Sequence, residues 1–437
     1  MNLNILIPLI SFVELFNKMN HLEYRNFVKH SLQVAKITYK LSKMLNLQID
    51  SECSYLAGML HDMGLVMKAS IENYDLFVDM FRRVPDLEKI VLTFDKGDHH
   101  SVISYAIGSL VKPLCPNCAK SILYHHTPYQ NIPESDPKIV YLANCLKVAD
   151  LISLTALRNN AEELTVDLYN EMVHTVTKDV GILEEIKKAA LAILIDYKVI
   201  CEILDEQNRF SSDIKFPLED FEEAARLLAT LLDLRSPYTR NHTFVTAKLS
   251  ERIISELLGK EDARVMNIAA LLHDIGKLKT PLSVLHKRRR LDQNEFMIMK
   301  RHVVDTYKML EEAGLAHIAK ISASHHERLD GSGYPTGLKS DQMTIFQRTI
   351  QVADVFSALI EHRPYREKMS MTDALQVIEN EVNEGRLDPT VYNKLKELVK
   401  NRLFDEELIF RNALEHLFKV SYSEIKEMLG RFVNTEG

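Results

Sequence analysis

Strand-like alternation of apolar and polar residues is scarce in this chain, and only 14 of its 437 residues are glycine. Nearly every periodic segment has the helical period instead, which excludes a sheet-based fold and predicts an all-α protein. Cysteine is sparse and irregular: Cys53, Cys115, Cys118, Cys145 and Cys201. That usage excludes a disulfide framework and suits a reducing cytoplasm. Cys115-Pro-Asn-Cys118 lacks a second CxxC half-site and reads as a loop with two thiols. Positive charge is not in excess. A formal net charge of −7 excludes the bulk electrostatic grip of a protein that coats DNA. Any anionic ligand must therefore be held by local basic groups or by metal. The N-terminal run MNLNILIPLISFVELF has no basic flank and no small-residue cleavage site, and it is too short to span a bilayer. It is expected to be the first structured segment, with neither export nor a membrane span. Apolar residues at 46% and charged residues at 26% are ordinary for a soluble globular protein. The length suggests two or three domains.

What is present is a pattern of histidine and aspartate that occurs twice. In the first half it runs through His30, His61-Asp62, His99-His100, His125-His126 and Asp150. In the second half it runs through His242, His273-Asp274, His302, His325-His326 and Asp354. A spacing of 31 residues separates His30 from His61 and also His242 from His273. Asp150 and Asp354 both close a Val-Ala-Asp triplet. Five matched elements in one order imply an internal duplication with a period near 212 residues. The segment 151–215 reads as amphipathic helices, with ILEEIKKAALAILIDYKVICEIL as a single one. The loop-like passage NRFSSDIKFPLED follows. The expected domains are 1–215, an HD-like domain with a helical connector, and 216–437. Helices are also expected in FEEAARLLATLLDLR, MTDALQVIENEV and PTVYNKLKELVKNRL, and in two further stretches beyond them.

The stretch AALLHDIGK, Ala269–Lys277, organises the second half. It reads as a helix that delivers an imidazole and a carboxylate at its C-terminal end, with Gly276 at or near the C-cap. An isolated His-Asp pair is weak. Five imidazoles and two carboxylates, however, are too many for one tetrahedral zinc. They suit two metals sharing a carboxylate, with positions left open for water. Mixed nitrogen and oxygen ligation fits Fe, Mn, Zn, Co or Ni.

Together with Gly333-Tyr334-Pro335, these residues resemble the HD-GYP phosphodiesterases, a branch of the HD metal-dependent phosphohydrolases. The resemblance covers about 220–400. It is carried by HDIGKLKTP (273–281), LHK (285–287), MKRH (299–302), HHERLDGSGYPTGL (325–338), QVADVFSAL (351–359) and RPYR (363–366). It implies an all-helical fold, a di-metal centre (often iron) and hydrolysis of cyclic dinucleotides such as c-di-GMP. It assigns His242, His273, Asp274 and Asp354 to one metal and Asp274, His302, His325 and His326 to the other. Tyr238 stands where some members carry a glutamate for a third metal, so two are expected, Fe or Mn. Between them they would activate water near neutral pH and neutralise the phosphoryl oxygens. Lys277 is expected to touch a phosphate oxygen or the leaving oxygen, and Arg363 and Arg366 to hold phosphate or guanine. The basic run Lys287-Arg288-Arg289-Arg290 is expected near the site. Gly331, Gly333 and Pro335 are expected to shape a rigid loop, with Tyr334 structural or in recognition.

The first half keeps the ligands but not their surroundings. Leu65 stands where the second half has Lys277, and neither a GYP loop nor an RPYR follows. A regulatory or structural domain that can still hold a metal is expected there. A weakened HD domain before an HD-GYP domain also resembles phosphodiesterases that prefer 3′3′-cGAMP. The expectation is therefore a cytoplasmic enzyme that opens c-di-GMP or 3′3′-cGAMP to a linear 5′-phosphodinucleotide. Its partners are the substrate and a homodimer mate or a cyclase, with no DNA and no membrane. The rival readings are a cyclic-dinucleotide sensor without turnover and a general HD nucleotidase.

Overall fold

The computed structural model describes residues 27–65, 99–110, 114–159, 164–205, six positions between 222 and 232, 242–287, 289–361 and 368–401. The expected N-terminal segment, the NRFSSDIKFPLED passage, the RPYR motif and the last two expected helices lie outside the described residues. Among the described residues there is no β-strand, only an isolated bridge between Asp330 and Lys339. The protein is all-α. It divides into two compact units, Phe12–Lys215 and a second that takes up the chain at Phe216.

The first unit begins with α1 (Phe27–Met44) and α2 (Ser51–Leu60), and continues with α3 (His99–Leu110), α4 (Pro116–Leu123) and α5 (Pro137–Arg158). Then come α6 (Val166–Lys178), α7 (Glu184–Ile195) and α8 (Tyr197–Leu204). The single helix expected over 182–204 is in fact two. Asp196 leaves the helical region and its carboxylate accepts from Val199 N–H, so it caps a new helix in the middle of an apolar run. The connector folds back onto the domain. Lys36 donates to the carbonyls of Glu202 and Asp205 at 3.1 and 2.7 Å, neutralising the C-terminal end of α8. Among the described helices α5 alone is long and apolar enough to cross a membrane. It is a core helix, with 72% of its apolar window buried inside the unit.

In the second unit, the described positions from Glu222 to Leu232 are helical where the sequence predicts a helix. They are followed by α9 (His242–Leu257), α10 (Lys260–Leu271) and a 3₁₀ turn (Ile275–Lys279). After these come α11 (Leu282–Leu285), α12 (Gln293–Glu312), α13 (Ala316–Ser322), α14 (Ile345–Ile360), α15 (Met371–Asn383) and α16 (Pro389–Lys400). Capping boxes start α12 (Asp292 with Glu295) and α14 (Thr344 with Gln347), satisfying amide groups that a helix cannot satisfy itself.

The apolar stripes of α9, α14, α15 and α16 form one core: Val245, Leu249 and Ile253 against Val352, Phe356, Ile378, Val391 and Leu395. On α9 the residues His242 and Thr246, one turn apart, face a second stripe on α14 made by Asp354 and Ser357. The same two helices thus bury one face in oil and turn an adjacent polar face to the site.

Candidate metal centre and cleft

Five segments deliver the second-unit cluster: the start of α9, the turn after α10, the middle of α12, the turn after α13 and the middle of α14. His273 and Asp274 do not ride on a helix end with Gly276 as its C-cap, as expected. α10 stops at Leu271, and the pair sits in the turn that leads into the 3₁₀ segment. Gly276 is needed for a different reason. A Cβ there would lie 2.0 Å from the His302 carbonyl oxygen, so only glycine lets the turn press against α12. Thr306 ties the two together, accepting from Gly276 N–H at 2.9 Å and donating to the His273 carbonyl at 3.0 Å.

The imidazoles are oriented from behind. Nδ1–H of His273, His302 and His325 donates to the carbonyls of Ala270, Met299 and Ser322 at 2.6, 2.5 and 2.7 Å. Nδ1 of His242 meets Ser357 Oγ at 2.9 Å, and that hydroxyl donates to the Asp354 carbonyl. Each ring therefore turns Nε2, as a lone pair, into a shared space. His242 Nε2 stands 2.9 Å from Asp354 Oδ1, and His273 Nε2 stands 3.3 Å from Asp274 Oδ2 and 3.7 Å from Asp354 Oδ1. The other oxygen of Asp274, Oδ1, faces His302 Nε2 at 3.4 Å and His325 Nε2 at 3.7 Å. His326 Nδ1 stands 3.7 Å from Asp354 Oδ2. Asp274 thus faces two groups of nitrogens, one with each oxygen, at the centre of the cluster. All seven sequence-predicted ligands meet in this one place.

The arrangement fits metal. His273 Nε2 and Asp274 Oδ1 are buried and have no hydrogen-bond partner. An orphaned buried polar atom costs about 1–3 kcal/mol unless something occupies the space it faces. His242, His273 and Asp274 form one candidate ligand group, and His302, His325 and His326 another. Burial alone would raise both aspartates. Lys277 and His273 beside Asp274, and His242 beside Asp354, outweigh it and hold both carboxyls well below their usual range. Burial pushes His302 down to about 4 and His326 to about 3, so both rings are neutral and ready to bind.

A cleft of about 590 Å³ opens onto this centre. Asp274, Asp354, His242, His302 and His326 form its floor. Lys277, Lys287, Arg289, Arg290 and Arg328 line it, together with Phe296 and Tyr334. Lys277 Nζ rests against Asp274 Oδ2. Arg363 and Arg366 lie outside the described residues. Tyr334 packs on His326 with ring centroids 4.8 Å apart, and Lys300 Nζ lies over the Tyr334 ring 4.5 Å from its centroid. The loop that carries Tyr334 is pinned by Glu327, 1% exposed, which accepts from Thr336 N–H, Thr336 Oγ1 and Leu338 N–H at 2.7–3.0 Å.

Sequence reading missed Ser357, Thr306, Arg328 and Glu327. The duplication itself carried a clue to the first two. Ser153 follows Asp150 by three, as Ser357 follows Asp354, and Ser104 follows His100 by four, as Thr306 follows His302.

The first unit repeats the geometry with all its ligands. His30 Nε2 lies 3.1 Å from Asp150 Oδ1, and its Nδ1 meets Ser153 Oγ at 2.9 Å. Asp62 Oδ2 faces His30 and His61, both at 3.5 Å, while Oδ1 faces His100 at 3.6 Å and His125 at 3.4 Å. Asp62 Oδ1 and His125 Nε2 are buried without partners. A Cβ on Gly64 would sit 2.1 Å from the His100 carbonyl, as at Gly276. Burial opposes a charge on His30, but its bonds to Asp150 and Asp62 raise it to about 9, so a proton stands where a cation would.

Two helical units, each closing a bridging aspartate inside a ring of imidazoles, define a tandem metal-binding helical fold. The chain belongs to the HD-domain family: residues 27–155 and 226–391 each match the family described as HD domain. It is 28% identical over 389 residues to the 3′3′-cGAMP-specific phosphodiesterase 1 of Vibrio cholerae, covering 84% of this chain and 86% of that protein. It is 41% identical over 149 residues to the cyclic di-GMP phosphodiesterase response regulator RpfG of Xanthomonas campestris, covering 33% of this chain and 39% of that one. The crystal structure of a cyclic GMP-AMP-specific phosphodiesterase from V. cholerae shares the fold, with a TM-score of 0.55, 17% identity, and coverage of 92% of this chain and 98% of that one.

Proposed function

We propose that the second unit hydrolyses the 3′–5′ phosphodiester of a cyclic dinucleotide, 3′3′-cGAMP or c-di-GMP, to a linear 5′-phosphodinucleotide. The observation that carries this is the basic cleft that opens directly onto the bridging carboxylate of Asp274. Two divalent ions, Fe or Mn, held by His242, His273, Asp274 and Asp354 and by Asp274, His302, His325 and His326, would supply an activated water and neutralise phosphoryl charge.

The chain's own groups do the rest. Asp274, with one oxygen toward each nitrogen group, fixes where the centre sits beneath the cleft. With a metal held by Asp274, Lys277 would turn its ammonium to a non-bridging phosphate oxygen or the leaving 3′-oxygen. Lys287, Arg289, Arg290 and Arg328 match the second phosphate of a cyclic dinucleotide, a dianion, and Arg363 and Arg366 belong to the same role by resemblance. Phe296 offers an aromatic face on which a base can stack.

The relative named for 3′3′-cGAMP matches across both halves, whereas the match to the cyclic di-GMP enzyme covers a third of this chain, which supports 3′3′-cGAMP as the first substrate to try. The first unit holds additional metal through His30, His61, Asp62, His100, His125, His126 and Asp150 and acts as a regulatory partner. A cytoplasmic location, and a homodimer or docking to a cyclase, complete the proposal.

The test is turnover by protein purified without oxygen and reconstituted with Fe(II) or Mn(II). It is offered 3′3′-cGAMP, c-di-GMP and c-di-AMP, with products resolved by chromatography and metal content measured. Linear 5′-phosphodinucleotide is the expected product. Tight binding without turnover in metal-replete protein would make it a sensor, and preferential cleavage of mononucleotides a nucleotidase.

A further inference from the structure

The first unit holds a second kind of cluster, away from its histidines. The CxxC segment is not a loop. Cys115 is the N-cap of α4, its Sγ accepting from Cys118 N–H at 3.3 Å, and Cys118 lies in the first turn. A third thiol comes from the first turn of α2, where Asp50 caps the helix and accepts from Cys53 N–H. The sulfur atoms of Cys53, Cys115 and Cys118 all lie within 4.8 Å of one another. Cys53 and Cys118 are buried and Cys115 is half-buried.

The duplication supplies a control for this cluster. Aligned on His61 and His273, Cys53 corresponds to Val265. Aligned on His125 and His325, Cys115 and Cys118 correspond to Leu315 and Ile318. Leu315 and Ile318 are buried core residues. The duplicated positions therefore carry three aliphatic side chains in one copy and three thiols in the other. Isolated core cysteines behave as small hydrophobes. Three converging at one corner of one copy, and at none of the same positions in the other, form a ligand set.

We propose that Cys53, Cys115 and Cys118 form a thiolate site for a soft d10 divalent ion, zinc. Three sulfurs leave a fourth tetrahedral position, on the side of half-buried Cys115, for solvent. Sulfurs bound to one zinc at about 2.3 Å stand roughly 3.8 Å apart. Cys115 and Cys118 Sγ are now 2.6 Å apart, so binding opens this pair by rotating Cys115 outward. The ion joins the N-terminal ends of α2 and α4. The opposite ends of these helices lead to His61-Asp62 and His125-His126, about 12 Å away along α2. The site would act as a clamp on the two elements that set the spacing of the first unit's histidine cluster.

The test uses the full chain under reducing conditions and needs no turnover, so its outcome is independent of the proposed hydrolysis. Loading with Co(II) should produce a sulfur-to-cobalt charge-transfer absorption in the near ultraviolet, which the His and Asp sites cannot give. Zinc-loaded protein should show sulfur scatterers at about 2.3 Å by X-ray absorption. The triple variant Cys53→Val, Cys115→Leu, Cys118→Ile, which installs the second unit's own side chains and keeps the corner filled, should lose the absorption and one equivalent of metal. Absence of the band in reduced wild-type protein, zinc surrounded by nitrogen and oxygen alone, or a Cys115–Cys118 disulfide persisting in reduced protein would each overturn the proposal.

Discussion

At the residue scale the site depends on which atom of each side chain faces inward. Asp274 puts one oxygen toward each nitrogen group, Oδ2 toward His273 and Oδ1 toward His302 and His325. Asp274→Ala should lower turnover by more than about a hundredfold, beyond the loss seen when only a ligand's support is removed, with the circular dichroism spectrum unchanged. Asp62→Ala, in the other cluster, should leave turnover largely intact. Equal losses from both would overturn the division of labour between the units. Ser357 never reaches the cleft, yet it sets the tautomer of His242. Ser357→Ala should weaken metal affinity by about 10–100-fold, measured by titration of metal-free protein, with little change in melting temperature. The seven clustered residues were legible in the sequence because a candidate metal centre of mixed nitrogen and oxygen donors restricts residue type to His and Asp. Ser357 was not, because any donor or acceptor on the right side of the ring could have done its work.

At the scale of elements, the cluster depends on how closely the His273-Asp274 turn approaches α12. Gly276 sets that distance, and Thr306 locks it with two hydrogen bonds. Gly276→Ala should destabilise the second unit by about 1–3 kcal/mol, the usual cost of forcing atoms into a packed site, and should lower its metal content in parallel. Thermal unfolding and metal analysis on the same preparation would check this. Unchanged values of both would mean that the turn can move away without consequence. Among the described residues helix existence was readable from periodicity, but helix ends were not. Asp196 interrupts what reads as a continuous apolar helix, because a side-chain cap competes locally with propagation. The end of α10 falls two residues before His273 rather than at Gly276, because the turn is shaped by its contact with α12 and not by a left-handed cap.

For the whole molecule, two complete ligand sets imply about four metal ions per chain when both are loaded, two to each bridging aspartate. Asp62→Ala and Asp274→Ala should each remove about two of them by metal analysis. Loading should also depend on pH in the first unit. His30, raised to about 9, must release its proton before it can bind, so below that value apparent affinity should fall by about tenfold per pH unit as protons compete. Isothermal titration in buffers of differing ionisation enthalpy would register the released proton. Affinity independent of pH from 6 to 8 would exclude His30 as a ligand.

The sequence by itself determined the all-helical class, the duplication and which histidines and aspartates make up the two clusters. Helical period is a local property, and metal chemistry limits residue choice. Only the tertiary structure decided which oxygen of each aspartate faces which imidazole, and that Lys287, Arg289 and Arg290 open onto the cleft with Lys277 and Arg328. It also decided that Cys53 joins a CxxC pair 62 residues away. These are meetings between side chains on different elements. They depend on how helices pack, which no local pattern in the chain encodes.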